Sequence, residues 1–168
     1  LSDLNSLPEL NINAKIDMLI HLAGYYKTES QTLCDEINVN GTKNAIAMCK
    51  NNDINRILFF STINVDLNTK GCYANSKLIA EKEVKNSGLE YMIVRPSLIF
   101  NGREGAIGKI INYTEKLTVV PVFGSGKAKE QPIHITELID LTIAMIKDFK
   151  RGKTIYASGK EPMSFKEM

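Results

Sequence analysis

Three short apolar runs, separated by stretches with helical periodicity, constrain the fold of this chain more than any other feature. They are IDMLIHLAG (residues 16–24), NRILFFST (55–62) and LEYMIVRP (89–96). Runs of this length without polar alternation are expected of strands buried on both faces. Between the first two, Leu33, Ile37, Thr42, Ala45, Ile46 and Cys49 recur at helical spacing over residues 31–52, and Asn51-Asn52-Asp53 ends the stripe. Between the second and third, residues 74–86 predict a helix with Leu78, Ile79 and Val84 inward, stopped by Ser87-Gly88. Strand, helix, strand, helix, strand with short joints implies βαβ crossovers. The fold class is therefore α/β, a doubly wound parallel sheet with helices on both faces.

After Pro96 the pattern loosens. NGREG (101–105) reads as a loop, 106–117 as a helix, and TVVPVFGSGKAKEQP (118–132) as an irregular Pro/Gly-rich stretch. Residues 136–149 predict an amphipathic helix capped by Thr136, and 153–159 a short strand. The division expected is a sheet region over 1–100 and a small cap over 101–168 whose late helix returns to the core. With 168 residues the chain can bury a proper core as one domain. A net charge of +2 with no Lys/Arg cluster argues against nucleic acid. No apolar run approaches the roughly 20 residues of a membrane span, and LSDLNSLPEL is not a signal peptide. Cys34, Cys49 and Cys72 are odd in number and lack metal-ligand spacing, which fits a reducing cytoplasm and no metal. Cys72 reads as a small packing residue, with a reactive thiol as the alternative.

In parallel sheets, ligands bind beyond the carboxyl ends of the strands. Those ends are His21-Leu22-Ala23-Gly24, Ser61-Thr62 and Arg95-Pro96-Ser97. The helix that follows Thr62 carries Tyr73 and Lys77, four apart and so on one face. A Tyr-x-x-x-Lys spacing arises often by chance; its place at the ligand edge gives it meaning. A phenol has an ordinary pKa of ~10 and is a poor base at neutral pH. A nearby ammonium favours the phenolate and brings it toward working pH.

Placed on these elements, the residues resemble the extended short-chain dehydrogenase/reductase family, the NAD(P)-dependent sugar epimerases and dehydratases. His21-Leu22-Ala23-Gly24 is similar to that family's HLA[AG] turn against the dinucleotide, and Asn38-Val39-Asn40-Gly41-Thr42 to its NVxGT helix signature. Tyr73-Ala74-Asn75-Ser76-Lys77 matches YxxSK, Arg95-Pro96-Ser97 resembles the RP turn beside the nicotinamide, and QPIHITEL (131–138) resembles the segment that opens a late helix. The resemblance implies Thr62, Tyr73 and Lys77 as catalytic residues. It implies NAD or NADP held by Leu22, Ala23, Gly24, Asn38, Ser61, Tyr73, Lys77, Pro96 and Ser97. It implies a small-molecule substrate, a sugar nucleotide or relative, met by Thr62, Asn101, Arg103 and Lys127, and it leaves a homodimer open. Asn38 has a structural alternative, a buried amide serving the backbone. Arg103, Lys127 and Lys129 can equally be solvated. His21 and His134 read as packed framework residues rather than ligands or acid–base groups.

The sequence also departs from the family pattern. The family opens with a strand, a GxxGxxG turn and a helix whose N-terminus binds the pyrophosphate. No such motif occurs here. The expectation is a fragment lacking the first βα units and cut short after EPMSFKEM. Where many nucleotide-sugar enzymes carry an Arg four residues before the late His, this chain has Glu130. The stretch Pro121–Pro132 is similar to the branch related to the accessory NAD(P)H-binding subunit of respiratory complex I. The alternative function is therefore an accessory or sensing protein that binds dinucleotide without turnover.

Overall fold

A computed structural model describes residues 4–9, 12–102 and 129–164. Two compact units emerge, Leu1–Arg95 with Phe149–Ile155, and Pro96–Asp148 with Tyr156–Met168. The described strands are β1 (Leu19–His21), β2 (Arg56–Phe60), β3 (Glu90–Pro96), β4 (Ile99–Phe100), β5 (Lys129–Glu130), β6 (Ile133–His134), β7 (Lys153–Ala157) and β8 (Met163–Ser164). The described α-helices are α1 (Gln31–Cys34), α2 (Gly41–Asn51), α3 (Cys72–Asn86) and α4 (Ile135–Lys147).

The first unit is built on a sheet of order β1-β2-β3-β7. β1 and β2 run parallel in the register Leu19↔Ile57 to His21↔Phe59, and β2 and β3 in the register Arg56↔Glu90 to Phe60↔Val94. The central strands behave as their apolar runs predict: Ile57, Leu58, Phe59, Met92, Ile93 and Val94 are completely buried. On one face Ile57, Phe59 and Ile93 pack with Ile46 of α2 and with Ala80 and Val84 of α3. The α/β class and the parallel sheet are thus as the sequence implies.

Three departures have physical causes. The first apolar run yields a strand of only three residues, with Ile20 39% and Leu22 65% exposed rather than buried on both faces. Beyond the strand a side chain engages the backbone: Tyr25 N–H donates to Asn38 Oδ1 at 2.7 Å, and Asn38 Nδ2 donates to Tyr25 C=O at 2.9 Å. Second, α1, capped by Ser30, runs into a π-helical turn, Asp35–Asn40, before α2. The wider turn shifts the phase of the stripe. Thr42, Ala45, Ile46 and Cys49 are buried as expected, but upstream Cys34, Asn38 and Val39 replace Leu33. Third, α3 begins at Cys72, and its inward face carries Ser76, Lys77, Ala80, Glu81 and Val84 while Ile79 is exposed. A hydrophobicity pattern cannot find a buried stripe that is half polar. Its end is as expected, with Gly88 at φ +84° following Ser87.

In the second unit β4 pairs parallel with β6, and β5 antiparallel with β8. The late helix starts one residue early and its cap is His134, not Thr136. The His134 ring accepts from Thr136 N–H, and the Glu137 carboxylate accepts from His134 N–H at 3.1 Å. This reciprocal box satisfies two of the helix's orphan donors. The expected helix over 106–117, Arg103 and Lys127 lie outside the described residues.

Candidate functional site

The carboxyl ends of β1 and β2 and the first turns of α3 bring several of the singled-out residues together in the first unit. Gly24 marks the meeting point. A Cβ on it would lie 3.7 Å from Asn38 Oδ1, 3.7 Å from Lys77 Nζ and 3.9 Å from Tyr73 Cε2. Glycine leaves that space to solvent or to a ligand.

Asn38 organises this corner. Besides clamping the Tyr25 backbone, its Nδ2 donates to Ser76 Oγ at 2.9 Å, and Ser76 Oγ donates to the Tyr73 carbonyl at 2.9 Å. Both amide hydrogens are therefore engaged, tying the turn after β1 to the first turn of α3. Behind it, Thr42 Oγ1 donates to Asn38 C=O at 2.6 Å and meets His21 Nε2 at 3.0 Å. Burial, and then the charge of Lys77, lowers His21 to about 4. At neutral pH the ring is uncharged and holds Thr42 by a neutral hydrogen bond.

Lys77 is the electrostatic centre. Its side chain is buried, its ammonium lies 4.2 Å from the centroid of the Phe59 ring, and among the described residues it makes no hydrogen bond. Burial lowers its pKa to about 8, with the Glu81 carboxylate pulling the other way. Tyr73, one turn earlier, sits edge-on to Tyr26 with ring centroids 6.2 Å apart. Burial, and then Tyr26, pushes its phenol above the ordinary value. The expectation from the sequence, a phenol brought down by Lys77 together with an oxidised nicotinamide, concerns the cofactor-bound site. In this structure burial, with the neighbouring Tyr26, sets the direction.

Thr62 caps a short 3₁₀ turn, Ile63–Asp66, and its Oγ1 accepts from Asn64 N–H at 3.3 Å. The hydroxyl proton is left to donate elsewhere. Ser61 is held to β3 through its N–H to Val94 C=O at 2.7 Å. Its Oγ is buried without a partner at normal hydrogen-bond distance, near the Glu81 carboxylate.

An ion-pair network beside these groups, buried at Glu81 and Arg95, was not legible as such in the sequence. Arg95, at the end of β3, donates through Nε to Glu81 Oε1 at 2.9 Å and through Nη2 to Glu81 Oε2 at 2.8 Å. Its Nη1 reaches Asp66 Oδ1 and Oδ2 at 2.8 and 3.0 Å. Burial raises the Glu81 carboxyl, but the hydrogen bonds of Arg95 and Ser61 and the charges of Arg95 and Lys85 together outweigh it, and the pKa stays below the ordinary range. Bidentate arginine–carboxylate pairs are directional as well as strong. This one fixes the Thr62 turn against the helix that bears Tyr73 and Lys77. The available signal was Glu81, four residues beyond Lys77 and eight beyond Tyr73, a carboxylate on their face of α3.

The remaining singled-out residues occupy other places. Leu22 and Ala23 are exposed in the turn after β1. Pro96, Ser97 and Asn101 belong to the second unit, where Ser97 donates its N–H to Ala157 C=O at 2.9 Å and its hydroxyl to Gln131 C=O. Lys129 and Glu130 lie exposed on β5.

The model of the NAD dependent epimerase/dehydratase family matches residues 1–159. Among curated proteins, short-chain dehydrogenase/reductase family 42E member 1 of Bos taurus is 25% identical over 84% of this chain and 44% of its own length. The mitochondrial NADH dehydrogenase [ubiquinone] 1 alpha subcomplex subunit 9 of Arabidopsis thaliana is 23% identical over 94% of this chain and 40% of its own length. The chain thus spans less than half of either relative. Among solved structures, UDP-glucuronic acid 4-epimerase from Bacillus cereus in complex with NAD superposes with a TM-score of 0.81 at 22% identity, covering 98% of this chain and 60% of that one. At that identity the likeness speaks for the fold.

Proposed function

This chain belongs to the NAD dependent epimerase/dehydratase family, and on that premise we propose that it carries the acid–base centre of an NAD- or NADP-dependent oxidoreductase-type enzyme. Its substrate is a hydroxyl or carbonyl compound, a sugar nucleotide or a relative of one. The supporting observation is Lys77. Its stem is buried and desolvation lowers its pKa to about 8, and its ammonium makes no hydrogen bond among the described residues. It stands one helical turn from Tyr73, beside the space that Gly24 leaves open. Such a charge is suited to a polar ligand that completes its hydrogen bonding.

The residues fit a nicotinamide dinucleotide. Leu22, Ala23 and Gly24 offer an exposed turn, and Lys77 an ammonium that borders the space beside Gly24. When bound, the dinucleotide supplies the hydride acceptor and, in its oxidised form, a positive charge beside the phenol. The chain's own residues handle the proton. Thr62 holds the substrate oxygen with the proton that its Asn64 contact leaves free. Tyr73 exchanges a proton with that oxygen, as base when the hydroxyl is oxidised and as acid when the carbonyl is reduced. Lys77 favours the phenolate electrostatically and donates to the ligand. The Arg95–Glu81–Asp66 network, buried at Glu81 and Arg95, keeps these groups in register.

A second reading, a dinucleotide-binding subunit without turnover, is supported by the likeness to the mitochondrial NADH dehydrogenase [ubiquinone] 1 alpha subcomplex subunit 9. One experiment separates the two. In the full-length protein, Tyr73→Phe should reduce turnover of a responsive sugar nucleotide by about 10²–10⁴-fold, with dinucleotide affinity nearly intact. A Tyr73→Phe variant with wild-type turnover refutes the mechanism. If NAD(P)H stabilises the protein but no UDP- or dTDP-sugar or simple hydroxyl compound is turned over, the second reading stands.

A further inference from the structure

Cys34 and Cys72 are 38 positions apart, on different helices, yet their sulfurs lie 2.9 Å from each other. That is less than about 1 Å beyond the ~2.05 Å of a disulfide bond. Cys34 closes α1 and is completely buried; Cys72 opens α3, is partly exposed, and its Sγ also lies 2.9 Å from the Thr28 carbonyl. Cys49 packs elsewhere, with Met48 and Ile54. Tyr73 is the next residue after Cys72. Two thiols on separate elements, one reachable from solvent and the other directly behind it, form the arrangement of an attacking and a resolving cysteine.

We propose that Cys34 and Cys72 constitute a reversible dithiol/disulfide site, oxidised by low-molecular-weight disulfides such as glutathione disulfide. In the first step the exposed Cys72, as thiolate, attacks one sulfur of the oxidant. A Cys72–S–S–R mixed disulfide forms, the oxidant's own S–S bond breaks, and the departing RS⁻ takes up the proton that Cys72 gave up. In the second step the Cys34 sulfur attacks Cys72, the mixed disulfide breaks, and a second RS⁻ leaves with the proton from Cys34. The net exchange oxidises two protein thiols by two electrons and reduces one R–S–S–R to two R–SH. Burial, and then the neighbouring Cys72 sulfur, holds the Cys34 thiol above its ordinary range. It therefore serves as the second, proximity-driven nucleophile rather than the first. Closing the bond pulls the first turn of α3 toward α1, and Tyr73 stands on that turn. The site does not depend on the enzymatic reading above, since its chemistry is read from the thiols alone.

The test uses the full-length protein equilibrated at a series of glutathione disulfide to glutathione ratios, quenched in acid, alkylated and mapped by peptide mass spectrometry. The expected result is a Cys34–Cys72 linked peptide whose abundance rises with the ratio, is independent of protein concentration and is fully reversed by dithiothreitol, while Cys49 remains alkylatable. In Cys34→Ser, Cys72 should accumulate as a mixed disulfide with glutathione. Three results would each overturn the proposal: alkylation of both wild-type cysteines at every ratio, a link between chains that grows with protein concentration, or a Cys72 that stays unmodified in Cys34→Ser.

Discussion

Replacing Lys77 by methionine should make the apoprotein more stable while removing what the site is for. The stem of Lys77 is packed at 2% exposure, and methionine occupies similar volume without the charge. The ammonium's pKa falls from 10.5 to about 8 on folding. At about 1.36 kcal/mol per pH unit this gap corresponds to roughly 3 kcal/mol of destabilisation carried by the charged form. The sign follows from proton counts. Between pH 8 and 10.5 the unfolded chain binds more protons at this position than the folded one, so wild-type stability gains as pH rises through that window. Below pH 8 the cost is full and constant. Lys77→Met should therefore gain about 2–3 kcal/mol at pH 7, a gain that shrinks toward pH 10. Urea unfolding of the full-length apoprotein at closely spaced pH values measures this. Dinucleotide affinity and turnover should fall in the same variant. His21, relieved of a neighbouring charge, should titrate above its present value of about 4 by NMR. A variant less stable than wild type at pH 7, or a difference that does not change between pH 7 and 10, would refute the reasoning: Lys77 would then be a satisfied structural cation.

Two further outcomes follow from buried contacts. Arg95→Met leaves the buried Glu81 carboxylate with Lys85 at 3.4 Å as its cation; it should cost about 3–5 kcal/mol, and Arg95→Met with Glu81→Leu should recover much of that. Urea denaturation of the single and paired variants checks it, and a single variant losing under about 1 kcal/mol contradicts the network's role. In the second unit, a Cβ on Gly159 would fall 2.0 Å from the Pro132 carbonyl oxygen. Gly159→Ala should thus displace the segment in which Gly159 and Gln131 exchange hydrogen bonds, at a cost of about 1–3 kcal/mol, seen as faster hydrogen exchange around residues 131–134.

Apolar content by itself determined the α/β class and the central strands. Ile57–Phe60 and Met92–Val94 are buried on both faces, so their burial can be read without knowing the neighbours. The Tyr73–Lys77 spacing likewise followed from helical geometry once the strand ends were placed. Tertiary structure decided what depended on partners distant in the sequence. The turn after β1 is held by Asn38, which captures the Tyr25 backbone. The π-helical turn rotates Cys34 inward to meet Cys72, a pairing with no signal in cysteine count or spacing. The polar inward face of α3 exists because Arg95, from the end of β3, neutralises Glu81. Periodicity reads a buried charge as a surface charge, since both look alike until the counter-ion is located. The Tyr73 phenol follows the same logic: a sequence shows which charges are near along the helix, and only the folded chain shows how much water has been removed from around them.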